Sequence, residues 1–152
     1  PVVDQHHKLL GIISRQDVLK ALQMIQRQPQ VGDTLDDIVT NQFVERQEKS
    51  GEDILTCEIT PQMTNSVGTI SYGVFTTLVT EAAKRTLRNL KKSDMVVENI
   101  TIYFIKPVQI DSTIQIKPKI LEVGRKFGKI DVEVYHEGNV VGKALMMVQL
   151  IY

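Results

Sequence analysis

The chain has one cysteine, Cys57, and no tryptophan in 152 residues. A lone cysteine excludes an intrachain disulfide framework and a cysteine-rich zinc site, and it fits a reducing compartment. With no histidine near it in sequence, Cys57 reads as a small strand residue and not as a nucleophile. Net charge is also missing, because 18 basic residues balance 18 acidic ones. No global field therefore draws the chain to nucleic acid or an anionic surface, and 5% aromatic residues leave no stacking platform for bases. A charged ligand must be met by a local patch. No apolar run approaches the roughly 20 residues of a spanning helix, and no signal peptide opens the chain. The expectation is a cytoplasmic protein that binds neither membrane nor nucleic acid. His6 and His7 fall in one polar turn and His136 in another, without the carboxylate or cysteine partners of a metal site, so no metal is expected.

What is present is patterned. With 42% hydrophobic residues the chain buries one core, plus an appendage. "PVVD", "QHHK" and "LLGIIS" read as a hairpin, followed by a helix over "SRQDVLKALQMIQRQ" with Ser14 as N-cap and Asp17 at N3. Pro29 and Gly32 then break the pattern, with room for a single turn around Asp36 to Val39. Two strand-like pieces follow in "FVERQEKSGEDILTCEIT". From Ile70 to Leu90, apolar residues recur on one broad arc of a helix, with Gly73, Thr77, Thr80, Lys84 and Arg88 opposite. Four alternating segments, separated by "QIDS", "GRKFG" and "HEGN", complete the chain as an antiparallel meander. One long helix followed by a run of strands implies an α+β domain with the sheet curled around the helix.

That order, with "NSVGTISYGVFTTLVTEAA" and the later "FIKPVQIDSTIQIKPKILEVGRKFGKIDVEVYHEGNVVGKA", resembles the hotdog-fold acyl-CoA thioesterases over residues 43–152. The opening "GIISRQD" resembles the closing half of a CBS module, a domain that often binds adenosine nucleotides. The resemblances imply residues 1–28 as the C-terminal part of a CBS module, 29–42 as a linker and 43–152 as the hotdog domain. Beginning at "PVVD", the chain reads as a piece of something longer.

Thioester hydrolysis needs donors that stabilise an oxyanion and a base or nucleophile on the other side. In the family, an amide, a histidine with two glycines, and a helix acid do this work. By resemblance Asn65 stands at the amide, Ser71 at the histidine, Tyr72 and Gly73 at the glycines, and Thr80 at the acid. Serine cannot titrate as histidine does, and a threonine hydroxyl is a poor base without an activating neighbour. Glu81 lies about 100° further round the helix, and reads either as a solvated or interface carboxylate or, in a shifted register, as the base. The glycines and threonines read alternatively as packing features of a buried helix.

Arg125, Lys126 and Lys129 in the basic turn are implied to meet the phosphates of coenzyme A. Lys117 and Lys119 either extend that patch or protect a sheet edge. Ser14 and Asp17 read as a capping box or, by the CBS resemblance, as contacts to phosphate and ribose. The functional expectation is an acyl-CoA thioester-binding domain of thioesterase type, or else a non-catalytic module that senses acyl-CoA and nucleotide. No cofactor is expected beyond acyl-CoA as ligand or substrate, with an adenine nucleotide at the CBS module. Hotdog domains pair through their helices and sheets, so a homodimer or higher homo-oligomer is implied.

Overall fold

The computed structural model describes residues 2–7, 9–11, 15, 18, 34–40, 43–47, 53–91 and 93–152. The chain divides into two compact units, Pro1–Gly32 and Asp33–Tyr152.

In the first unit, β1 (Val2–Val3) and β2 (Leu9–Gly11) form an antiparallel hairpin. Asp4 turns the chain: its Oδ1 accepts the His6 N–H at 2.8 Å and its carbonyl accepts the His7 N–H at 3.1 Å. Ser14 and Asp17 lie outside the described residues.

The second unit opens with a short helix, α1 (Leu35–Thr40). Thr34 and Asp37 cap it reciprocally: the Thr34 N–H donates to Asp37 Oδ2 at 3.0 Å, and the Asp37 N–H to Thr34 Oγ1 at 3.2 Å. Strands β3 (Phe43–Gln47) and β4 (Asp53–Glu58) precede the long helix α2 (Tyr72–Lys91), and β5 (Asp94–Phe104), β6 (Thr113–Val123), β7 (Phe127–His136) and β8 (Asn139–Ile151) follow it. The six strands form one antiparallel sheet in the order β3-β4-β6-β7-β8-β5.

Strand alternation decides which face the helix meets. Ile114 and Ile116 on β6, Ile130, Val132 and Val134 on β7, and Ala144, Met146 and Val148 on β8 point inward and are buried. Against them α2 places Val74, Phe75, Leu78, Val79, Ala82, Ala83 and Leu87, all buried, with the two alanines allowing close approach. Each fully buried large aliphatic side chain contributes about 1.5–3 kcal/mol. This helix wrapped by a curled sheet is the hotdog fold.

The helix begins two residues later than its apolar periodicity suggests. Ile70 is buried like a helix residue, but its backbone forms an antiparallel bridge with Thr64, and Ser71 is the cap. At the other end Leu90 is exposed, like Arg88, Asn89 and Lys91 around it. Strand β6 lies between β4 and β7, and its pairing with β4 covers Thr113–Ile116, so Lys117 and Lys119 stand past that stretch and pair with β7. They stand opposite Glu133 and Asp131 on the outer face, with Lys117 Nζ 4.6 Å from the centroid of the Tyr135 ring.

Candidate functional site

The loop from β4 to α2 is built by Asn65. Its Oδ1 accepts from the N–H groups of Val67 and Thr69, both at 3.1 Å, and its Nδ2 donates to Thr69 Oγ1 at 2.8 Å. Gly68 takes φ of +79°, a left-handed conformation that glycine adopts without steric cost. The loop is then laced to the segment after β5, with the Ile70 N–H on the Val108 carbonyl at 2.7 Å and the Ile110 N–H on the Gly68 carbonyl at 3.0 Å. The Ser71 N–H donates to the Met63 carbonyl at 2.9 Å, which fixes where the helix begins.

A helix start leaves its first N–H groups without i−4 partners. Here the Val74 N–H is taken by Ser71 Oγ at 3.2 Å and the Phe75 N–H by the Ser71 carbonyl at 3.0 Å. Tyr72 and Gly73 keep theirs. A Cβ added at Gly73 would find nothing within 4 Å, and both residues are exposed at the positive end of the α2 dipole.

Beside them lies a cleft of about 260 Å³, lined by Thr69, Ile70, Tyr72, Phe75, Phe104, Lys106, Pro107 and Val141. Its aromatic wall is a chain of edge-to-face contacts, Tyr72 to Phe104 at 4.8 Å and Phe104 to Phe75 at 5.4 Å between centroids. None of Phe75, Phe104, Lys106 or Val141 was singled out from sequence, because they come from three separate elements that only the fold joins. The one local signal is Gly142, an isolated glycine in an apolar strand pattern.

The hydroxyls along α2 are turned back onto the backbone: Thr76 onto the Tyr72 carbonyl, Thr77 onto Gly73 and Thr80 onto Thr76, at 2.8, 2.9 and 2.8 Å. Thr80 follows Gly73 by seven residues, about two turns, and so shares its side of the helix. Glu81 is turned away from that line. Its Oε1 pairs with Arg85 Nε at 3.2 Å, and the Arg85 guanidinium stacks 4.9 Å over the Phe43 ring, with Nη2 3.4 Å from the Thr40 carbonyl.

Arg125 and Lys126 occupy the tight β6–β7 turn, closed by the Gly124 N–H on the Phe127 carbonyl at 2.8 Å. With Lys129 they line a separate depression of about 180 Å³. Lys129 Nζ lies 3.5 Å from Glu122 Oε2, both well exposed. Among the described residues, no group of three or more His, Cys, Asp or Glu side chains is arranged to hold a metal, and no helix is long and apolar enough to cross a membrane.

Comparison with known proteins agrees with this architecture. The YtoI protein of Bacillus subtilis (strain 168) is 60% identical over 152 residues, a match that covers 99% of this chain and 35% of that protein. The chain thus spans about a third of the length of this curated relative. The hypothetical thioesterase of Streptococcus pneumoniae TIGR4, solved with coenzyme A, superposes with a TM-score of 0.66 at 21% identity, over 71% of this chain and 87% of its own. BH2602 from Bacillus halodurans, solved with CoA, gives 0.69 at 16% identity over 95% and 99%. The smu.793 protein of Streptococcus mutans UA159, bound to acetyl CoA, gives 0.64 at 21% over 81% and 93%. At such identities the likeness is one of fold. Residues 67–143, half of the sequence, match the family described as the thioesterase superfamily, and they run from the loop ahead of α2 into the start of β8. The chain belongs to the thioesterase superfamily.

Proposed function

We propose that this domain binds an acyl thioester of coenzyme A at the start of α2 and hydrolyses it. The observation that carries the reading is the pair of unspent donors, Tyr72 N–H and Gly73 N–H, opening beside an apolar cleft in a thioesterase-superfamily domain. A thioester carbonyl on those donors has its developing oxyanion stabilised, an effect worth about 3–4 kcal/mol per donor in enzymes of this chemistry. The acyl group enters the cleft, and the CoA phosphates meet Arg125, Lys126 and Lys129. That similar structures hold CoA or acetyl CoA supports the choice of ligand. Water adds to the carbonyl carbon, the C–S bond breaks, and the departing sulfur takes up a proton.

The site works in a homodimer. Strand β5 is an eleven-residue sheet edge whose inward row, Met95, Val97, Ile100 and Ile102, is only half covered. Tyr72, Phe104 and Ile105 stand exposed beside it. Two copies paired along β5 cover this apolar strip and close the cleft.

A second reading, favoured by the state of the polar groups, is a cytoplasmic sensor that binds the thioester without cleaving it. Asn65 is consumed by its own loop, Thr80 by the backbone and Glu81 by Arg85. In that reading the preceding CBS portion couples the site to an adenine nucleotide through Ser14 and Asp17. Incubation of the chain with acyl-CoAs, following both thiol release and heat of binding, separates the two. Release that is abolished by Glu81→Gln and not by Thr80→Ala assigns hydrolysis to Glu81, freed from Arg85. Binding without release assigns sensing; neither binding nor release refutes both. Light scattering checks the dimer.

A further inference from the structure

We infer that Phe75, seated against Gly142, limits the length of the acyl group, so that the site selects short acyl chains. The inference rests on the reading of the α2 cleft as the acyl site. Exposure along the aromatic wall falls from 69% at Tyr72 through 46% at Phe104 to 2% at Phe75, so Tyr72 stands at the mouth and Phe75 at the closed end. The Phe75 ring occupies the volume where residue 142 would carry its side chain. A Cβ built at Gly142 would lie 2.2 Å from Phe75 Cζ, with Cε1 and Cε2 at 3.0 and 3.1 Å. Gly142 lies on β8, paired with Phe104 at the end of β5 on one side and with Val134 of β7 on the other, so its backbone is tied into the sheet on both sides. The ring is thus held between a strand paired on both sides and the Phe104 ring that packs on its edge. Phe75 thus stands at the inner end of a cleft of about 260 Å³. An acyl chain that enters past Tyr72 meets the Phe75 ring at that end.

Two substitutions move the floor in opposite directions. Phe75→Leu removes the ring tip and deepens the cleft. Gly142→Ala places a methyl group where the ring tip lies and drives the ring outward into the cleft. The double substitution returns space to both groups, because the shortened side chain no longer meets the new methyl.

The test is equilibrium binding of S-alkyl coenzyme A thioethers, which cannot be hydrolysed, with ethyl, butyl, hexyl and octyl chains, to the full chain and the three variants. For the unaltered protein, affinity is expected to peak at ethyl or butyl and to fall at least tenfold by octyl. Phe75→Leu should shift the optimum to longer chains and improve the octyl-to-ethyl affinity ratio at least tenfold. Gly142→Ala should weaken butyl relative to ethyl, and the double variant should regain butyl. Superimposable chain-length profiles across the variants, with coenzyme A itself still bound, overturn the role of Phe75 and leave the thioester site standing. An unaltered protein that prefers octyl overturns the short-chain selection. Failure of every analogue and of coenzyme A to bind overturns the site itself, and this inference with it.

Discussion

Gly73 separates fold from ligand more cleanly than any other residue of the helix start. Nothing stands within 4 Å of a Cβ built there, so Gly73→Ala strains nothing in the free protein. In a helix the exchange stabilises by about 0.5–1 kcal/mol through lost unfolded-state freedom. The same methyl group adds bulk at the exposed helix start where the thioester is proposed to dock. The expected outcome is an unchanged or slightly raised melting temperature with at least tenfold weaker acyl-CoA binding, read by calorimetry; a variant that binds normally removes these donors from the site. Cys57, at the other extreme, is sealed in the core. Burial, with the Glu58 carboxylate adding to it, pushes its thiol from 9.0 up to about 12. Below pH 9 folded and unfolded chains both keep the proton, and the stabilisation is complete. As pH climbs from 9 toward 12 the unfolded chain loses its proton while the folded chain retains it, so stability falls. Cys57→Ala should flatten that alkaline decline in melting temperature. Tyr135, also raised chiefly by its hydrogen bond to Glu133, adds the same slope to both proteins and cancels in the comparison.

At the scale of elements, α2 shows what periodicity reveals and what it does not. Its apolar arc is written in residues 74–87, because a helix packed on a sheet must repeat its buried face every three to four positions. Its first residue is not so written, because Ile70 continues the arc as a side chain while its backbone is tied to Thr64 and Val108. The capping serine resolves the boundary. Ser71→Ala should cost about 1 kcal/mol and lower the melting temperature by several degrees, while Ser71→Asp should keep the cap and most of the stability. Equal losses for the two variants would show that Ser71 acts through something other than its cap. The single turn expected around Asp36 to Val39 is the six-residue helix α1, whose start is marked by the capping-box spacing of Thr34 and Asp37 with apolar Leu35, Ile38 and Val39 around it. The cleft could not be read in this way, since its aromatic wall joins the first turn of α2 to the end of β5.

For the molecule as a whole, the order of helix and strands fixed the hotdog architecture, whereas the start of the domain depends on contacts that composition does not register. Pro29 and Gly32 mark a break, yet the chain beyond them is not slack all the way to β3. Val39 has no exposed surface and belongs to the core, with Ile38 packed against that core. Arg85 of α2 reaches both the Thr40 carbonyl and the Phe43 ring, so α1 and β3 are held by the same side chain that holds Glu81. Removing α1 therefore uncovers apolar core surface and takes the Thr40 carbonyl away from the Arg85 guanidinium, which keeps Glu81 and the Phe43 ring among its partners. Burial of Val39 alone is worth roughly 1.5–3 kcal/mol, and the half-buried Ile38 adds to it. A chain of residues 43–152 should accordingly melt about 10 °C below one of residues 34–152, compared at equal concentration so that any self-association weighs on both alike. Should the two melt together, α1 is a passive connection and the core closes without it. Should the shorter chain melt lower while Glu81→Gln changes activity in it more than in the longer one, then α1, through Arg85, governs how freely the Glu81 carboxylate leaves its ion pair.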